Sequence, residues 1–552
     1  MFKRTFPLPD VTVEWTLPRE PAHGDASTHI ALQISKTLGR PPRAIASELA
    51  KALTAIPAIE RAEVAGAGYV NVWLTPAALL AELARTREAA TVKVTREEPP
   101  VIVEYSQPNI AKPLGAHHLL TTIIGQAISN LYEHQGYPVI RWNYLGDWGT
   151  QFGKLSVAME KWGAKPAKEC SLDDLLNLYV RFHEETEKDP SLDQAAREAF
   201  RKLEKADPAQ RAFWKDVVAV TKVSLASLYT RLQVSFDLDL GESFYENKME
   251  PVLDEGRKKG VFSTGEEGAL IVAFPHEKYP PYLVLKGDGA TLYSTRDLAQ
   301  MRYRIDTYHP QAIFIVTDIA QKLHFEQLLA TCELLGWRVP AFENVLVGRM
   351  RFADKSMSTR KGNILKLEHV LDEAVKRAEA VIEGHRDTIQ TEDEQLLASM
   401  MGLGAIAYGI LSQNRRMDII FDWEKMLSFE GNSAPYLQYT HARARSVLRK
   451  ADVDAADVPG DAAAFADNDR ILIRTLLLFP DVLDEARETR MPHKLANYLY
   501  ELAQSYNAFY NTEQILKAKE PSRTLRLALT ALSATVLRTG SNLLTLQVPD
   551  RM

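Results

Sequence analysis

Two stretches of this chain gather groups suited to handling phosphate. In Glu104-Tyr-Ser-Gln-Pro-Asn109-Ile-Ala-Lys112-Pro-Leu-Gly115-Ala-His117-His118, a lysine and two imidazoles follow the dense apolar run VIVEYS and a Pro/Asn loop, and they lead into a helical pattern. Backbone N–H groups at a helix start favour anions, and Lys112, His117 and His118 can donate to phosphate oxygens. In Asp354-Lys355-Ser-Met357-Ser358-Thr359-Arg360-Lys361-Gly362-Asn363, a short cationic loop follows the strand-like ENVLVG, a form able to close over a polyphosphate. Each has a plainer reading on its own, since paired histidines near a helix start are commonly exposed or capping and basic clusters are commonly solvated turns.

Such groups need a frame to hold them. At 552 residues the chain exceeds one ordinary hydrophobic core, and usual domain sizes imply about three or four units. A composition of 46% hydrophobic and 25% charged residues is globular, which excludes disordered, collagen-like and fibrous classes. VIVEYS and YPVIRWNYLGDWG, separated by one helical pattern, suit neighbouring strands of a parallel sheet, so a doubly wound, Rossmann-like α/β fold is expected. Residues 1–95 mix helical stretches such as HIALQISKTLG with the strand-like GYVNVWL, as a small α/β unit. The main sheet is expected over 96–370, with a helical insertion at about 155–265 before strands resume at ALIVAF, YLVL and AIFIVTD. Beyond 370 nothing reads as a strand, and 371–552 is expected to be a helical bundle containing one loosely packed connection, VDAADVPGDAAAFAD.

Only Cys170 and Cys332 are present, so neither a disulfide framework nor a structural zinc site is expected, and no other metal ligands are assigned. No apolar block suits a signal peptide and no segment supplies the roughly 18 apolar residues of a membrane span, so a cytoplasmic protein with no membrane partner is expected. The net charge of −6 argues against indiscriminate polyanion binding but leaves local basic surfaces open.

Taken whole, the first stretch resembles the signature of class I aminoacyl-tRNA synthetases of the arginyl type, in which PN-x-AKP precedes the motif written HIGH; Pro108, Asn109, Ala111, Lys112 and Pro113 match it. The second resembles the arginyl version of the KMSKS loop, with Thr359 in place of the usual second lysine. One departure stands out: Gly115 takes the position of the first histidine and His117 that of the glycine, leaving His118 alone at an expected histidine. Either His117 swings in as a substitute or the remaining groups suffice. The resemblance implies ATP with Mg²⁺ as substrate, and a Lys112 that supplies from the other side the charge missing at Thr359. It implies a catalytic set of Lys112, His117, His118, Lys355, Ser358 and Arg360, with ATP contacts at Gly115, His118, His324, Met357 and Ser358. A cation at the right point matters because charge builds on the pentavalent phosphorus, and one preorganised donor is worth ~3 kcal/mol there.

A pocket for a guanidinium needs carboxylates and carbonyls, because bidentate acceptors satisfy the planar fork best. Glu104, at the end of the first strand, and Asp297, closing Tyr293-Ser-Thr-Arg-Asp297, fit that need, and the latter segment resembles the family's Y-x-T-R-D. The resemblance implies an L-arginine pocket lined by Glu104, Ser106, Asn109, Tyr293, Asp297 and Gln321. Asn143-Tyr144-Leu-Gly146-Asp147-Trp148-Gly149 resembles the family's N-H-x-G-D-W-G, with Tyr144 in the histidine slot, and Gln321 with His324 matches Q-x-x-H. An unpaired buried carboxylate costs ~1–3 kcal/mol, so an apolar amino acid is rejected on entry and no editing domain is expected.

Further on, Phe429 to Arg445 places aromatic rings beside basic groups, a combination able to stack bases and hold phosphates, although an amphipathic helix with a core aromatic stripe is the plainer alternative. The resemblance implies a helical domain that reads the anticodon, with Tyr436, Gln438, Tyr439 and Arg443 as tRNA contacts, and an N-terminal domain touching the tRNA corner. The expected function is therefore an arginine-tRNA ligase, a monomer taking L-arginine, ATP and tRNA(Arg) as partners and releasing AMP and pyrophosphate. The alternative is a noncatalytic RNA-binding or arginine-sensing paralogue, supported by the altered Gly115-Ala-His117-His118.

Overall fold

The computed structural model describes residues 13–16, 18, 20–116, 118–352, 366–387, 389–453 and 465–552. His117, Lys355, Met357, Ser358 and Arg360 lie outside the described residues, as does most of VDAADVPGDAAAFAD.

The N-terminal unit packs helices α1 (Ile30–Leu38) and α2 (Pro42–Leu53) on an antiparallel sheet ordered β1-β3-β2, formed by β1 (Ala26–Thr28), β2 (Ile59–Ala65) and β3 (Tyr69–Leu74). Its core is Ile30, Ile45, Leu49, Val70 and Val72, the apolar positions of the helix and strand periodicities. Helix α3 (Pro76–Thr91) leads out, started by Pro76 and by Thr75 Oγ1, which accepts from the Ala78 N–H.

The main sheet is parallel throughout, ordered β11-β10-β4-β5-β6. Its strands are β4 (Val101–Glu104), β5 (Val139–Asn143), the short edge β6 (Leu238–Asp239), β10 (Ala312–Asp318) and β11 (Ala341–Val347). Helix α4 (His118–His134) carries the chain from β4 to β5. From β4 the chain continues to β5 on one side, and β10 fills the other, so the carboxyl ends of β4 and β10 frame the crevice where open α/β sheets take ligands.

Four helices form the insertion: α5 (Thr150–Trp162), α6 (Leu172–Thr186), α7 (Ser191–Glu204) and α8 (Pro208–Arg231). After α9 (Met249–Lys258) the stretches expected to rejoin the main sheet do otherwise. ALIVAF and YLVL become β8 (Leu270–Val272) and β9 (Tyr282–Leu285), which pair antiparallel with β7 (Ser263–Thr264) in a separate sheet. The connection between β8 and β9 is too short to hold a crossover helix, so a hairpin is the arrangement open to it. Helices α10 (Tyr293–Tyr308) and α11 (Lys322–Leu334) flank β10.

The last third is helical: α12 (Leu367–Gly384), α13 (Glu394–Leu411), a short α14 (Trp423–Met426), α15 (Ala434–Ala451), α16 (Asp467–Leu477), α17 (Phe479–Thr489), α18 (His493–Thr512) and α19 (Ser522–Leu543). It corrects the strand-free expectation in one place, because β13 (Ile419–Phe421) pairs in parallel with β12 (Met350–Phe352) and ties the bundle to the edge of the crevice. By length and composition α13 is also apolar enough to span a bilayer, contrary to the sequence expectation, but 61% of it is buried, the setting of a core helix. The N-terminal unit is fastened to the bundle by Asp25, which is 4% exposed and receives Arg470 Nη2 at 2.9 Å, with Arg474 Nε at 3.6 Å.

Candidate active site

The link from β4 to α4 runs through three non-glycine residues with positive φ, Ser106 (75°), Gln107 (52°) and Ala111 (64°). Backbone held there costs of order 1–3 kcal/mol per residue and persists only where neighbours over-determine it. The insertion does so: on α8, Thr221 Oγ1 accepts from the Ala111 N–H at 3.1 Å, and the Tyr229 hydroxyl meets Ser106 Oγ at 2.8 Å. On the other side Gly146 lies against Asn109, its N–H donating to Pro108 O at 2.9 Å while Ile110 N–H donates back at 3.2 Å. A Cβ on Gly146 would sit 2.6 Å from Asn109 Oδ1, so any larger residue there displaces the Asn109 carboxamide.

Around this loop opens a cavity of about 620 Å³, floored by the carboxyl ends of β4, β10 and β11. It brings together Glu104, Ser106, Asn109, His118, Tyr293, Asp297, Gln321 and His324, eight of the expected site residues. Two expected residues are not brought there. The Lys112 ammonium lies over the Tyr179 ring of α6, 4.8 Å from its centroid, and burial followed by Lys154 lowers its pKa. Gly115 faces Lys366 in an antiparallel bridge, and its N–H donates to His118 Nδ1 at 3.2 Å. In this arrangement an aromatic face on the insertion holds the Lys112 cation.

One part of the cavity lining is acidic. Asp297 Oδ2 meets His324 Nε2 at 2.6 Å, and the Tyr293 ring edges that imidazole at 4.8 Å between centroids. Glu242, which sequence reasoning missed, stands beside them with Arg296 Nη1 at 3.5 Å. Burial, reinforced by Asp297 and Asp147 and opposed by Arg296, pushes its carboxyl up to about 7. The Tyr144 hydroxyl is buried with no hydrogen-bond partner among the described residues, and its pKa is raised, first by burial and then by Asp297, Glu242 and Glu104. Glu104 differs from expectation: it is not an open acceptor, since Arg304 Nη2 and Gln300 Nε2 bind Oε2 and Gln107 Nε2 binds Oε1. Ser106 lines the cavity, but its hydroxyl is engaged by Tyr229. The carboxylates of Asp297 and Glu242 beside Tyr144 suit a multidentate cation. The lining also includes His118, Thr121, Gly348, Arg349 and Met350. No group of His, Cys, Asp and Glu suited to a metal ion occurs among the described residues.

A second cleft, of about 580 Å³, opens on the bundle between α15, α18 and the last residues. There Arg443 lies between the rings of Tyr439 and Tyr510, at 4.6 and 5.0 Å, with Arg449, Lys450 and Arg551 around it. Tyr436 instead packs edge-on to Tyr500 at 5.5 Å. The expected RNA contact at Gln438 is corrected: that side chain is 0% exposed, and its Nε2 donates to the carbonyls of Met400 and Gln547. Its neighbour His441 is likewise buried, with its pKa lowered to about 4 by burial.

Residues 80–423 match the family described as tRNA synthetases class I (R), catalytic domain, residues 437–552 the DALR anticodon binding domain, and residues 2–74 the arginyl tRNA synthetase N-terminal domain. The chain belongs to the class I arginyl-tRNA synthetases. An arginine-tRNA ligase of Fusobacterium nucleatum is 38% identical over 544 residues, spanning 98% of this chain and 95% of the relative. One from Chloroflexus aurantiacus is 35% identical over 557 residues, spanning 99% and 96%. Among solved structures, Thermus thermophilus arginyl-tRNA synthetase superposes with a TM-score of 0.80 at 26% identity, covering 98% of this chain and 97% of that one. Within this family fold, the acidic cavity lies in the span of the catalytic match and the Arg443 cleft in that of the anticodon-binding match.

Proposed function

We propose that this protein activates L-arginine with ATP and transfers it to tRNA(Arg). The observation that carries the reading is the pair of carboxylates Asp297 and Glu242 lining a cavity at the sheet's switch point beside Tyr144, whose buried hydroxyl has no partner among the described residues. The guanidinium lies against that pair, which directs the amino acid's carboxylate toward His118, Gly348 and Arg349. ATP enters there with Mg²⁺. A carboxylate oxygen attacks the α-phosphorus, the bond to the bridging oxygen of the β-phosphate breaks, and pyrophosphate leaves. A ribose hydroxyl at the tRNA 3′ end then attacks the carbonyl carbon of the adenylate, gives up its proton, and expels AMP.

The side chains of this cavity contribute position and charge. Asp297 is held by His324, so its carboxylate needs little reorganisation when a guanidinium arrives. Lysine offers a point charge without the fork and leaves part of the wall unsatisfied. The Arg443 cleft holds the anticodon arm, its two tyrosines offering faces to bases and its arginines charge to phosphates.

The deciding experiment is charging of unfractionated tRNA with each of the twenty labelled amino acids, using purified protein, ATP and Mg²⁺. Arginine alone is expected on tRNA, which also requires that Gly115-Ala-His117-His118 be competent. Binding of tRNA and arginine without charging would instead support the noncatalytic paralogue.

A further inference from the structure

Behind Glu104 and Gln300, which line the cavity, lies a guanidinium of the protein's own. Arg304, on α10, is 0% exposed. Its Nη2 binds Glu104 Oε2, where Gln300 Nε2 from the preceding turn also donates at 3.2 Å, and its guanidinium carbon lies 4.3 Å from the centroid of the Trp142 ring. Neither Nε nor Nη1 has a hydrogen-bond partner among the described residues. A buried arginine with part of its fork unsatisfied is a poor way to stabilise a core, where an apolar pair of similar volume does as well or better. Its purpose therefore lies with Glu104, whose other oxygen Gln107 holds at 2.6 Å.

We propose that Arg304 is a positioning residue for selection of the amino acid. It neutralises Glu104 from behind and fixes its carboxylate plane, so that the acceptor role in the cavity falls to Asp297 and Glu242. This rests on the arginine reading of the cavity. The amino acid carries two cationic ends, a guanidinium and an α-ammonium, and an unneutralised carboxylate at Glu104 makes wrong placements of either end favourable. Arg304 removes that competition by occupying, with the same chemical group, the place at Glu104 that a misplaced substrate would take.

The test uses the full chain with Arg304→Ala, measuring the KM values for arginine and ATP, kcat, and rescue by added small ions. The variant is expected to raise the KM for arginine about 30-fold or more and to leave the KM for ATP within about threefold. Low-millimolar guanidinium chloride, far below its denaturing range, is expected to restore arginine use by filling the vacated space, whereas urea, isosteric but neutral, is not. An unchanged KM for arginine, or equal rescue by urea, would overturn the proposal. Should Arg304→Ala fail to fold, Arg304→Lys, which keeps the charge without the fork, is expected to fold with an intermediate KM for arginine, and a wild-type value would overturn the proposal. Failure of the wild-type protein to charge arginine would remove the arginine reading itself, whereas wild-type charging with an unaffected variant removes only the role of Arg304.

Discussion

The carboxylate of Asp297 and the imidazole of His324 meet at 2.6 Å, although one stands on α10 and the other on α11. His324 Nδ1 lies 3.4 Å from the Tyr282 hydroxyl on β9, so three elements fix one carboxylate at the cavity wall. That arrangement makes Asp297 a preorganised acceptor. Replacing it with asparagine keeps the shape but removes the charge, and the KM for arginine is expected to rise on the order of 100-fold. The KM for ATP should change little, and equal losses on both substrates would count against the assignment.

Glu242 makes a pH prediction with a definite sign. Its carboxyl titrates at about 7 in the folded chain, above its ordinary 4.5. Between those values the folded state binds the extra proton, so this group's contribution to stability falls as pH rises through the window and is lowest above 7. Binding a guanidinium needs the ionised form, so the affinity for arginine should increase as pH rises through about 7. Glu242→Gln is expected to flatten that profile, to weaken arginine binding above neutrality, and to raise the melting temperature of the ligand-free protein at pH ~8. A profile as steep in the variant as in the wild type would place the titration elsewhere.

Gly146→Ala forces a Cβ to within 2.6 Å of Asn109 Oδ1. The strained loop beside it has no slack, so kcat/KM for aminoacylation is expected to fall about 10- to 100-fold, with the melting temperature shifted by only a few degrees. Wild-type kinetics would show that the position of Asn109 does not matter.

Two substitutions on α15 should part company. Arg443→Ala removes the cation held between Tyr439 and Tyr510 and is expected to raise the KM for tRNA about tenfold, with a shallower salt dependence and an unchanged KM for arginine. Gln438→Ala deletes a buried amide donating to two carbonyls and is expected to destabilise the bundle by ~1–3 kcal/mol, with a smaller effect on tRNA affinity. The opposite pattern would return Gln438 to the RNA surface.

These contrasts mark what a sequence can carry. Glu104 through His118 and Tyr293 through Asp297 were legible because their chemistry-bearing residues sit in short contiguous runs at strand or helix ends. Glu242, Gln300 and Arg304 were not, since each looks like an ordinary charged or polar residue until the fold brings the first two to the cavity and the third against Glu104. Gln438 and Tyr439 illustrate the same limit on one helix: adjacent residues differ by about 100° around the axis, so one is 0% exposed and the other 36%. The parallel order of β4 and β5 followed from their helical crossover, but the apolar runs of β8 and β9 did not say which sheet they would join.

Helix α8 offers Thr221 to the Ala111 backbone and Tyr229 to Ser106, so the helical insertion acts as the buttress of the reaction loop rather than as an appendage. Truncations that shorten α6 and α7 can leave that support in place. Any that cut α8 unseat the very residues whose backbone is least able to hold its shape alone, which sets α8 as the inner limit for miniaturising this enzyme.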